Sequence, residues 1–184
     1  MKNKFLKIYL LLFYLVMNNG LLANDFIFET STIQITDKGN ITNATNGIAK
    51  SNDGSFQITA NKFLYNKSLS FLRATGNVEV LDVLNKTTFK SENIFYDIKD
   101  KIILSKTKSS IKNNLNNFFY LENFTYNLNS GIIKMNKVKI IDSDKNKIDL
   151  DKAFLNLNTN KLVGKDLSIN FNERDFQNSN NPRL

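Results

Sequence analysis

Cysteine and histidine are both absent from the 184 residues. That excludes disulfides, thiolate nucleophiles, haem, the usual zinc sites and any histidine-based general base or triad. It also removes any lipid-attachment cysteine near the N-terminus. Tryptophan is missing, and the chain has one proline and only seven glycines. No phosphate loop, dinucleotide fingerprint or serine elbow is present, so catalysis has no visible vehicle. The expectation is a non-enzymatic protein with no cofactor. Basic residues are scattered and no arginine-rich run occurs, which argues against a nucleic-acid partner.

Charge of one sign is missing from the start of the chain, where no acid precedes Asp25. Lys2, Lys4 and Lys7 are followed by an apolar run over 8–17, then by Leu21, Leu22 and Ala23. Ten apolar residues are too few for a membrane-spanning helix, which needs about 20. A basic start, a short apolar run and a small residue before a polar stretch fit a signal peptide cleaved near Ala23. Residues 1–23 are therefore read as a leader, with an uncleaved N-terminal anchor as the alternative, and the remainder is placed outside the cytoplasm. The formal charge of +8 then falls to about +5, since the leader carries three of the 25 basic residues and none of the 17 acidic ones. A mild basic excess suits an anionic partner such as a lipid headgroup or a phosphate.

What fills the rest of the chain is a period of two. Phe56, Ile58 and Ala60 alternate with polar residues, as do Phe63 and Tyr65, and Val78 and Val80. Breaks fall at Asn66-Lys67-Ser68 and Gly76-Asn77. Such runs, bounded by Gly and Asn, predict short antiparallel strands with one apolar face, and frequent Asn between apolar pairs implies many turns. The pattern repeats about every thirty residues: Ala44-Thr45 matches Ala74-Thr75, and Tyr65 is followed by Tyr96, Tyr126 and then Asn156. Fixed-period self-similarity predicts a stack in which each unit shares its core with its neighbours. No sustained helical period occurs, so the fold class is all-β. The domain is placed at 24–171, and 172–184, which loses the alternation, is read as a linker.

Two carboxylate pairs, Asp142 with Asp144 and Asp149 with Asp151, have the spacing that puts both side chains on one strand face. They lack the further oxygen ligands and the glycine bend of a calcium loop. They are read as a polar turn and a solvent face, and no metal site is expected. The remaining candidate is the apolar stripe. It comprises Ile35, Ile41, Phe56, Ile58, Phe63, Tyr65, Leu69, Phe71, Val78, Val80, Ile94, Tyr96, Ile102, Leu104, Phe124, Tyr126, Val138 and Ile140. It serves either as the core of a β-sandwich or as the lining of a continuous apolar groove. An open stack also leaves unpaired strand edges at both ends, which invite strand addition.

Three stretches carry a family resemblance: Phe26-Ile27-Phe28-Glu29 with Ile33-Gln34-Ile35, the turn Asp37-Lys38-Gly39-Asn40, and Ala60-Asn61-Lys62-Phe63-Leu64-Tyr65 followed by Ala74-Thr75-Gly76-Asn77-Val78. They resemble the OstA-like repeats of lipopolysaccharide transport proteins, over about residues 26–184. The last segment, from Lys161 through Phe171 to Asn181-Pro182-Arg183-Leu184, resembles the point where the N-terminal domain of LptD, the outer-membrane assembly member, hands over to its barrel. The alternatives are a free-standing LptA-like bridge, an LptC-like anchored subunit, or a structural or adhesive β-repeat protein that binds no lipid. Departures from the family pattern fall at Asn46-Gly47, which inverts the Gly-Asn pair, and at Lys106-Thr107-Lys108, which replaces it.

The resemblance implies a slightly twisted β-jelly roll, open at both ends, whose groove holds lipopolysaccharide acyl chains. The implied partners are lipopolysaccharide, other jelly-roll proteins of the family joined by edge-strand addition, and an outer-membrane barrel with its lipoprotein partner.

Overall fold

The computed structural model describes residues 25–171, so the expected leader and most of the expected linker lie outside the described residues. Thirteen strands form one continuous antiparallel ladder. In chain order they are β1 (Phe26–Thr36), β2 (Ile41–Ser51), β3 (Phe56–Asn66), β4 (Phe71–Asp82), β5 (Thr87–Asp97), β6 (Ile102–Ser105) and β7 (Ser109–Lys112). There follow β8 (Phe118–Leu121), β9 (Asn123–Asn127), β10 (Ile132–Ile141), β11 (Lys147–Asn156), β12 (Lys161–Lys165) and β13 (Ser168–Asn170). No helix beyond a 3-10 turn at Asp37–Gly39 occurs among the described residues.

The seven long strands are not the short strands the alternation predicts. Each is two short segments joined at a kink, and the burial pattern shows where. In β3, Phe56, Ile58 and Ala60 are buried, Asn61 and Lys62 are both exposed, and Phe63 and Tyr65 are buried. The inward parity therefore slips by one residue at the kink, and the second half of the strand faces back toward the first. β5 repeats this with Phe89 before the kink and Ile94 and Tyr96 after it. Residues with positive φ mark the line in alternate strands: Asn46 in β2, Gly76 and Asn77 in β4, Lys137 in β10, and Asp166 between β12 and β13. Asn tolerates this region better than other non-glycine residues, and Gly takes it without penalty. At Gly76-Asn77 the pairing also shifts register against both neighbours, which is a β-bulge.

Lys106-Thr107-Lys108 falls on the same line. Here the strand is interrupted outright: β6 pairs with the second half of β5 and β7 with its first half. The break is anchored by Ser91, Ser105 and Thr107, whose hydroxyls lie 2.8–3.1 Å apart. β8 and β9, and β12 and β13, divide the two layers in the same way, pairing with opposite halves of β10 and of β11.

The ladder thus folds along its kink line into two layers, which is the β-jelly roll expected from the sequence. The first-layer segments include 26–30, 56–60 and 87–91. The second-layer segments include 62–66, 93–97 and 123–127. The apolar rings meet between them: Phe56 packs edge-on to Tyr96 at 5.1 Å, and Phe89 lies 5.3 and 5.2 Å from Phe124 and Tyr126. Burying one such side chain is worth about 1.5–3 kcal/mol.

Candidate functional site

The interior between the layers is the first candidate. Of the stripe predicted from sequence, Phe56, Ile58, Phe63, Tyr65, Val78, Val80, Ile94, Tyr96, Phe124, Tyr126, Val138 and Ile140 all lie in this interior and are buried. They pack against one another, so the middle of the stack is filled.

The other six stand elsewhere, for reasons of parity. In an antiparallel pair, residues directly opposite each other share a face. Tyr65 is opposite Leu72, and Tyr96 is opposite Ile103. Leu72 and Ile103 are therefore the inward residues, and Phe71, Ile102 and Leu104 point outward. Phe71 stacks on Phe95 at 5.4 Å on the outer surface. Ile41 is outward because its neighbour Thr42 is opposite the buried Tyr65. Leu69 sits in the turn between β3 and β4, 70% exposed. The turn residues between paired Asn66 and Phe71 reverse the phase, which a reading across the break by period two misses.

Ile35 faces inward but is 60% exposed. With Ile33 it lies opposite Thr42 and Ala44, both buried. Beyond β1 no described strand covers these residues. They line an open cavity of about 460 Å³ with Phe28, Thr42 and Tyr65. The far end mirrors this arrangement. Leu162 is opposite Leu155, and Ile169 is opposite Ile148; both are on the inward side and exposed. Ile33, Leu162 and Ile169 lie outside the stripe that alternation predicts. Their inward position depends on pairing register, which periodicity alone does not supply.

A second feature lies along the seam opposite the kink line, where the turn ends of the two layers approach. The tyrosines recurring every thirty residues sit there. The Tyr65 hydroxyl donates to Asp25 at 2.7 Å, and the Tyr126 hydroxyl donates to Asp82 at 2.6 Å. Asp82 is buried and also accepts from the Asn85 backbone and side-chain nitrogens at 2.9 and 2.8 Å. Burial, reinforced by these carboxylates, pushes both phenols well above their usual range.

Tyr96 is the intermediate member of this series. Its hydroxyl has no hydrogen-bond partner among the described residues, although the residue is buried. Burial first, then the charges of Asp53, Asp25 and Asp97, push it up to about 12. It borders two cavities of about 340 and 180 Å³, both also lined by Asp53, Phe56 and Lys101. Hydrogen bonds from Ser55 and Ser51 hold the Asp53 carboxyl down at about 2.

The carboxylate pairs hold turn and surface positions. Asp142 accepts from the backbone nitrogens of Asp144 and Asn146 at 2.9 and 2.8 Å. Asp151 is ion-paired with Lys137, and Asp149 lies opposite Lys139.

Among solved structures, the chain is similar to LptH of Pseudomonas aeruginosa, described as the LptA-homologous periplasmic component of the lipopolysaccharide transport device. The identity is 10% and the TM-score 0.32, over 80% of this chain and 94% of that one. No family model and no curated protein matches the chain.

Proposed function

We propose that the chain is a periplasmic, non-enzymatic module that holds the acyl chains of lipopolysaccharide between its two layers and relays them toward the outer membrane. Within that reading, its setting is the N-terminal domain of an LptD-type assembly protein, followed by a barrel and its lipoprotein partner. An LptA-like bridge or an LptC-like anchored subunit would use the same interior in another setting.

The observation that carries the reading is the pair of open ends. Ile33 and Ile35 at one end, and Leu162 and Ile169 at the other, are inward apolar residues left in contact with water. Taking an acyl chain out of water is worth about 0.8 kcal/mol per CH₂, so a chain of lipid length has a strong drive to enter at either end. Further passage requires the ring pairs Phe56–Tyr96 and Phe89–Phe124 to part. The edges of β1 and β12 that face away from the sheet lack strand partners among the described residues, which suits addition of a related jelly roll.

The filled middle supports a second reading, a structural or adhesive repeat with a dry core. A photo-crosslinking residue placed at Ile35 or Leu162 separates the two. Lipopolysaccharide adducts from both ends, and none from the outward Glu79, are expected of a conduit. Adducts from Glu79 alone, or none from either end, would leave the dry-core reading. Reading the coding sequence past Leu184 separates the LptD setting from the others, because a barrel of alternating strands of about ten residues follows only in the first.

A further inference from the structure

The outer face of the second layer carries a pattern that the conduit reading does not use. Cross-strand register fixes which residues share it. One row runs Leu64, Arg73, Phe95, Leu104, Thr125, Lys134, Phe154 and Val163, each directly opposite the next. In the rows on either side stand Phe71, Ile102 and Ile132, and also Lys62, Lys152, Lys161 and Lys165. This face therefore interleaves apolar side chains with six exposed cations, and its paired positions include one acid, Asp97. Among the described residues only Lys165 of the six comes within 4 Å of a carboxylate, that of Asp166 at 3.8 Å.

The outer face of the first layer is less basic. Three of its five paired lysines have an acid beside them: Lys50 with Glu29 at 2.6 Å, Lys90 with Glu79 at 3.0 Å, and Lys139 opposite Asp149, whereas Lys112 and Lys147 lie opposite Phe118 and Ile141. Five cations and three acids on this face, against six and one on the other, leave most of the uncompensated charge on the second layer. There it is concentrated toward the C-terminal strands, around the exposed Phe154 and Val163.

We infer that this face docks the protein on an anionic lipid bilayer, with Phe154 and Val163 at headgroup level and the lysines on the lipid phosphates. Charge complementarity selects an anionic partner, and the interleaved apolar side chains select one with an apolar boundary beneath the charge. A nucleic acid would leave Val163, Ile132 and Phe154 without a role, and the face offers a single arginine for phosphate forks. The inference is independent of what the interior holds.

The test is co-sedimentation of the full chain with phosphatidylglycerol-containing vesicles and with pure phosphatidylcholine vesicles, at low and high salt. A lysine near an anionic surface contributes roughly fivefold to partitioning. The combined variant Lys134→Glu, Lys152→Glu and Lys161→Glu is therefore expected to lower binding at least on the order of a hundredfold. Phe154→Ser with Val163→Ser is expected to weaken binding while leaving its salt dependence intact. The first-layer control, Lys112→Glu with Lys147→Glu, is expected to bind nearly as the parent does. Using the full chain throughout makes every contribution from outside the face common to all variants, and circular dichroism checks that each is folded.

Binding that ignores lipid charge, or that falls equally in the first-layer control, would overturn the inference. So would duplex DNA or RNA binding as tight as binding to the anionic vesicles. If the charge-reversal variant fails to fold, the serine pair decides: unchanged vesicle binding by that variant refutes the docking face.

Discussion

Tyr65, Tyr96 and Tyr126 offer one chemical change at three equivalent places. Replacing each by Phe removes a single hydroxyl and leaves the packed ring. Tyr126 donates to a carboxylate that is itself buried, at 2.6 Å. A hydrogen bond to a charged group is worth about 1.5–3 kcal/mol, and its loss leaves Asp82 with the two donors of Asn85. Tyr126→Phe should therefore cost about 2 kcal/mol, a sizeable part of the 5–15 kcal/mol typical of a folded domain. Tyr65 donates to Asp25, which is exposed at the end of the ladder. Water replaces that partner more easily, so Tyr65→Phe should cost roughly 0.5–1.5 kcal/mol. Tyr96 has no partner to lose among the described residues, and Tyr96→Phe should change stability by less than about 0.5 kcal/mol. Urea unfolding with a common m value measures all three. Equal losses at the three positions, or the largest loss at Tyr96, would refute the account of the seam as a series of unequal latches.

Two further perturbations follow from the same geometry. Gly47 lies where β2 crosses β1: a Cβ there would sit on the Glu29 carbonyl oxygen and 2.6 Å from Thr30 Cα. Gly47→Ala should push β1 off the ladder, costing about 1–3 kcal/mol, and amide hydrogen exchange should accelerate in β1 before the other strands. The tyrosines also set an alkaline limit. Tyrosine in the unfolded chain ionises near pH 10, whereas Tyr96 holds its proton to about 12 and Tyr65 and Tyr126 are shifted in the same direction. Above pH 10 the native state binds more protons than the unfolded one. Stability is thus intact below pH 10 and falls as the pH rises, by up to about 1.4 kcal/mol per pH unit for each such tyrosine. A phenolate absorbance titration run beside unfolding curves checks this; early ionisation of all tyrosines in the folded protein would contradict it.

The fold class was legible because alternation and period are local. Phe56, Ile58, Ala60, Phe63 and Tyr65 already contain the slip in parity that bends β3, with Asn61 and Lys62 as its polar elbow. The motif Gly76-Asn77 marks the bulge because only residues tolerant of positive φ take its backbone. The mistakes share one origin. Phe71, Ile102 and Leu104 follow turns whose length reverses the inward phase, Leu69 lies within such a turn, and pairing register across a turn is not a local property. Leu72 and Ile103 were missed for the same reason. The openness of Ile33, Ile35 and Leu162 was also hidden, since period two gives the face of a residue and not whether a neighbouring strand covers it.

The two end strands and the outer face obey a common constraint. A unit of about thirty residues that folds back on itself needs a neighbour on each side to bury its inward side chains. Within the described residues the stack has no polar capping unit. β1 presents Ile33 and Ile35, and β12 and β13 present Leu162 and Ile169, where a terminal repeat would ordinarily turn polar. Such apolar ends are an association hazard unless something occupies them. The residues that failed as interior lining by a change of phase, Phe71, Ile102 and Leu104, meanwhile build the apolar part of the outer face, between the lysines. The same thirty-residue pattern, read on its two parities, thus produces an interior that is uncovered at its ends and an exterior that is more basic on one layer than on the other. Occupation of the ends and attachment of the face are consequently separable, and substitutions at Ile35 and Leu162 should leave vesicle binding through Lys134 and Lys152 unchanged.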